Sequence, residues 1–63
     1  MKLTDRQIRK LISEIYRAGP VTVNRAMELL EVWLTYSPSD FVRSLERSGF
    51  TVNSTGKIVL RLD

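Results

Sequence analysis

The chain has 63 residues, ten basic and seven acidic, with no cysteine and no histidine, giving a formal charge of +3 and a sequence pI near 9.8. That length makes one domain, residues 1–63, near the lower limit for independent folding, where a core supplies about 3–5 kcal/mol. The missing residue types exclude disulfide frameworks, thiolate nucleophiles, zinc fingers, redox motifs and histidine-based hydrolytic triads, so the expectation is a non-enzyme without metal, cofactor or small-molecule substrate.

The first periodic segment runs from Thr4 to Ala18. Ile8, Leu11, Ile12 and Ile15 fall at i, i+3, i+4 and i+7, the spacing of an amphipathic helix. Thr4 followed by Gln7 reads as a capping box, Asp5 suits the helix dipole, and Gly19-Pro20 ends the helix. The face opposite the isoleucines carries Arg6, Lys10, Ser13 and Arg17. That face is either ordinary solvated surface or a row of phosphate contacts by Arg6, Lys10 and Arg17.

Val21-Thr22-Val23 is β-branched and favours an extended strand that pairs with a later segment. The helical period then returns from about Val23 to Tyr36. Val23, Ala26, Met27, Leu30, Trp33 and Leu34 make one apolar face, which puts Trp33 in the core. Leu29, Val32 and Tyr36 add a second apolar stripe. That stripe is either covered within the domain or left free as a homodimer interface. The polar strip of this helix holds Asn24, Glu28, Glu31 and Thr35, and the glutamates read as solvated charge.

Ser37-Pro38-Ser39-Asp40 is the strongest local signal: serine as N-cap, proline at the first helical position and an acid in the first turn. The helix it opens runs to about Ser48, buries Phe41, Val42 and Leu45, and closes at Gly49. Its other face carries Ser39, Asp40, Arg43, Glu46 and Arg47. After Gly49 the period becomes two. Phe50 and Val52, the turn Asn53-Ser54-Thr55-Gly56, then Ile58, Leu60 and Leu62 read as a hairpin over 50–62. A lone hairpin is marginal, so Val21–Val23 is expected to make the sheet three-stranded.

The fold class is therefore α+β, mainly α: three helices followed by a C-terminal β-hairpin. Leu11-Ile12-Ser13-Glu14-Ile15 leading to Gly19-Pro20-Val21-Thr22-Val23, and Ser37 to Phe50 feeding a hairpin, resemble the winged helix-turn-helix family of DNA-binding domains. Within that family the likeness is to small regulators of phage, plasmid or viral type. Two features depart from it: the long second helix, and the turn Thr35-Tyr36-Ser37, which lacks glycine. The resemblance implies a third helix (38–48) in the major groove of double-stranded DNA, reaching with Ser39, Arg43, Ser44 and Arg47, and a wing presenting Thr55 and Lys57.

Physical chemistry supports Arg43 and Arg47, which lie one turn apart and suit bidentate contact with guanine or phosphate. Ser39, in the first turn, sits beside unpaired backbone amides. Asp40 and Glu46 admit the opposite reading, a salt-bridged solvent face. Charge is uneven: +3 over residues 1–18, −1 over 19–36 and +1 over 37–63. That pattern fits a DNA face away from the middle helix. The alternative is a protein-interaction module on the same fold, using the Leu29, Val32 and Tyr36 stripe or the mixed-charge third helix, with no nucleic acid involved. No apolar run approaches the roughly 20 residues of a membrane span. Met1-Lys2-Leu3-Thr4-Asp5-Arg6 turns charged without a signal-peptide core, so the expected location is cytoplasmic.

Overall fold

The computed structural model describes residues 2–61, in the order α1 (Asp5–Ala18), β1 (Val21–Thr22), α2 (Val23–Leu30), α3 (Pro38–Arg47), β2 (Phe50–Val52) and β3 (Lys57–Leu60). It is an α+β chain, mainly helical, with a three-stranded antiparallel sheet in the order β1-β3-β2. The sequence reading placed Leu62 on the apolar face of the hairpin; that residue lies outside the described residues.

α1 begins as its sequence dictates. The Gln7 amide donates to the Thr4 hydroxyl (3.1 Å) and the Thr4 amide to Gln7 Oε1 (2.9 Å), a closed capping box. Leu3, just before the cap, is buried, and Ile8 packs on the same core. These are the two positions of a hydrophobic staple, and they bring the N-terminal segment down onto the domain. At the other end Gly19 takes φ +87, a conformation that costs glycine little, and its amide bonds back to the Ile15 carbonyl.

β1 supplies the third strand: Val21 pairs with Ile58 and Thr22 with Lys57. Thr22 also caps α2, its hydroxyl accepting from the Arg25 amide at 3.1 Å. β3 therefore has partners on both sides, with Phe50 opposite Leu60 and Val52 opposite Ile58. Leu11, Met27, Phe41, Leu45, Phe50 and Ile58 are fully buried, so every helix and the inner sheet face contribute to one core.

α2 is shorter than its apolar pattern implies. It ends at Leu30 because Glu31 enters the left-handed region at φ 57, ψ 45. The Glu31 amide then bonds to the Glu28 carbonyl (3.2 Å) and the Val32 amide to the Met27 carbonyl (3.1 Å). This pair of bonds is a Schellman closure. Beyond it the chain reverses in a tight turn, with the Thr35 and Tyr36 amides both donating to the Val32 carbonyl.

The break redistributes both apolar stripes. Val32 and Tyr36 are core residues at 3% and 7% exposure, and Leu29 is half-buried against the core. The expected self-interface of Leu29, Val32 and Tyr36 is therefore mostly interior, and too little of Val32 and Tyr36 is exposed to form a self-interface. Trp33 and Leu34, expected in the core, are instead exposed, Leu34 completely.

Candidate nucleic-acid interface

α3 is positioned from both ends. The Ser37 hydroxyl accepts from the Asp40 amide at 3.3 Å, and Pro38 occupies the first turn where its missing N–H costs nothing. Burial of Phe41, Ser44 and Leu45 then sets the rotation of the helix. Past its last residue, Gly49 at φ +94 redirects the chain into β2. The face left outside carries Ser39, Asp40, Arg43, Glu46 and Arg47, all exposed.

Ser44 is a correction. It was expected to reach out with the arginines, but it is 2% exposed, one turn from Phe41 on the inward face. At 100° per residue, a position directly after Arg43 turns toward the core when Leu45 is also inside.

Arg43 and Arg47, with Tyr36, Asp40 and Ser44, line a shallow groove of about 250 Å³ along the outside of α3. The acids at i−3 and i+3 of Arg43 do not neutralise it. Among the described residues the one ion pair is Arg17 with Glu14, at 2.6 Å on α1. Both guanidiniums on α3 thus stay solvated with their donors unspent. The Tyr36 hydroxyl donates to the Lys2 carbonyl over a long 3.5 Å, which holds the exposed Lys2 near the head of this groove. Lys2 was not singled out from the sequence. Its placement depends on a contact spanning 34 positions, which no local pattern encodes.

The wing is organised by one side chain. Asn53 Oδ1 accepts from the Thr55 amide (3.1 Å), the Thr55 hydroxyl (2.7 Å) and the Lys57 amide (2.9 Å). Lys57 is exposed beside this turn. Thr55 is exposed as well, but its hydroxyl proton is committed to Asn53, so it presents lone pairs rather than a donor.

On α1, Arg6, Lys10 and Arg17 are all exposed. Arg6 and Lys10 line a second depression, also about 250 Å³, with Gln7, Leu30 and Glu31. They do not join Arg43 and Arg47 in one groove, and Arg17 is already paired with Glu14.

Among the described residues there is no cluster of three acidic, cysteine or histidine side chains able to hold a metal ion, and no helix long and apolar enough to cross a membrane. No family model, curated protein or solved structure matches the chain.

Proposed function

We propose that this protein is a small duplex-DNA-binding regulator of the winged helix-turn-helix type, with α3 in the major groove and the β2–β3 hairpin as wing. The observation that supports the reading most directly is the unpaired, solvated state of Arg43 and Arg47, one turn apart on the outer face of α3 despite acids within reach on the same helix. Two guanidiniums at that spacing match successive base edges or phosphates along a groove. Ser39 adds phosphate donors through its hydroxyl and its own first-turn amide, and Lys57 and Lys2 extend the contact to the wing and the N-terminal segment. The eight-residue length of α2 supports the reading, since the family's second helix is also short.

The chemistry is binding alone. With about 4–6 phosphates neutralised, affinity for generic duplex falls with salt at a log–log slope of about −4 to −5. Titration of fluorescent duplex at about 50 and 200 mM salt, with wild type and with Arg43→Ala/Arg47→Ala, tests the reading. The double variant is expected to lose at least tenfold in affinity while unfolding like wild type. Absence of binding at low salt, or binding indifferent to the double substitution, overturns it and leaves the protein-interaction reading, which would then rest on Trp33 and Leu34.

A further inference from the structure

α3 carries no net charge, because Arg43 and Arg47 are offset by Asp40 and Glu46. Generic attraction to phosphates gains nothing from such a helix, whereas directional contacts to base edges need no net charge. The two acids hold different places. At about 100° per residue, Asp40 lies about 60° round from Arg43 on the side of Arg47, and Glu46 lies about 60° round on the other. The groove outside α3 divides them in the same way, with Asp40, Arg43 and Arg47 in its lining and Glu46 outside it.

Asp40 therefore belongs to the arginine stripe. It is exposed, and its carboxylate makes no ion pair or hydrogen bond among the described residues, while its amide donates to the Ser37 hydroxyl. The stripe Asp40, Arg43, Arg47 falls at i, i+3 and i+7 and covers about 10.5 Å of helix axis at a rise of about 1.5 Å per residue. Three base-pair steps at about 3.4 Å each have the same length. Along that length the protein offers one group that only accepts and two that only donate.

A carboxylate facing DNA is repelled by phosphates and by the acceptors at guanine O6 and N7, adenine N7 and thymine O4. Cytosine is the base that presents an amino donor, at N4, with no acceptor of its own in the major groove. The arginines suit the opposite edge, the O6 and N7 of guanine. We propose, resting on the duplex-binding reading above, that Asp40 is the specificity-determining residue of α3. It accepts from the N4 of a cytosine while Arg43 and Arg47 donate to guanines of neighbouring pairs, so the chain selects a G·C core of about three base pairs. Over any other base the carboxylate is unpaired and opposes binding, so Asp40 lowers generic affinity as it sets preference.

The test is selection of bound sequences from a randomised duplex pool by wild type, Asp40→Ala and Asp40→Asn. The selected site and its single-base variants are then titrated at about 100 mM salt, and urea unfolding checks that each variant folds. Wild type is expected to enrich one cytosine beside the guanines and to lose about 5- to 150-fold in affinity when that C·G pair is replaced. Asp40→Ala should keep the guanines, accept any base at the cytosine position within about threefold, and bind generic duplex more tightly than wild type. Asp40→Asn should move the preference there to adenine, whose N6 and N7 match the amide. If Asp40 served only the helix dipole, both substitutions would change stability and leave the selected sequence as it was. That result, or a pool with no base preference, overturns the proposal and leaves the DNA-binding reading standing. Absence of binding to any duplex at low salt overturns that reading and the proposal with it.

Discussion

The ring of Tyr36 meets that of Phe41 edge-on, with centroids 5.9 Å apart and planes at 67°. Tyr36 ends the turn after α2, and Phe41 is the first fully buried residue of α3, so this contact sets how the turn delivers the helix. Edge-to-face pairs add about 0.5–1.5 kcal/mol beyond simple burial. Tyr36→Ala is expected to cost about 3–5 kcal/mol, comparable to the whole stability of a domain this size. Circular dichroism at 25 °C should therefore find that variant largely unfolded. Tyr36→Phe keeps the ring and loses one long hydrogen bond, so its urea midpoint should reflect about 1 kcal/mol or less. An Ala variant as stable as wild type would show that the ring pair does not fix the turn.

Val32→Glu distinguishes core from interface at the stripe after α2. At 3% exposure, the new carboxylate has neither water nor a partner, a cost of several kcal/mol. The expected outcome is loss of the cooperative unfolding transition. At half-buried Leu29 the same change should cost about 1–2 kcal/mol and leave a folded domain. A folded Val32→Glu variant of lower mass than wild type would restore the stripe as an interface.

Elements that carry their own stop and start signals are legible in the sequence. Thr4 with Gln7, Gly19-Pro20, Ser37-Pro38 and the Asn53–Gly56 turn all sit where local chemistry puts them. The end of α2 is not legible, because its closure uses a glutamate in a conformation that usually selects glycine or asparagine, while the apolar period runs on unbroken. One missed turn then exchanged inside for outside at Val32, Trp33, Leu34 and Tyr36. The arginines of the α3 groove are legible from helical spacing, but the inward turn of Ser44 is not. A small polar residue satisfies either environment, and only the burial of Phe41 and Leu45 sets the rotation.

Asn53 holds the wing through three hydrogen bonds to one oxygen. Asn53→Ala should cost about 1–2 kcal/mol and speed amide exchange at Thr55 and Lys57 more than elsewhere. Asn53→Asp keeps the acceptor and should stay within about 0.5 kcal/mol of wild type. If the wing lies on DNA, the added carboxylate beside Lys57 should still weaken duplex binding. Lys57→Ala should reduce the magnitude of the salt slope by about one. An Asn53→Ala variant with unchanged exchange at both amides would show that the turn holds without its side chain.

Glu31 closes α2 with a side chain in the left-handed region. A side chain in the left-handed region costs about 1–2 kcal/mol, and glycine relieves that cost while adding about 0.4–1 kcal/mol of unfolded-state freedom. Glu31→Gly should therefore stabilise the domain by about 0.5–1 kcal/mol, raising Tm by about 2–8 °C in a scanning experiment. A lowered Tm would mean that the Schellman closure depends on the glutamate side chain, and the chain reversal after Leu30 would then need a different physical cause.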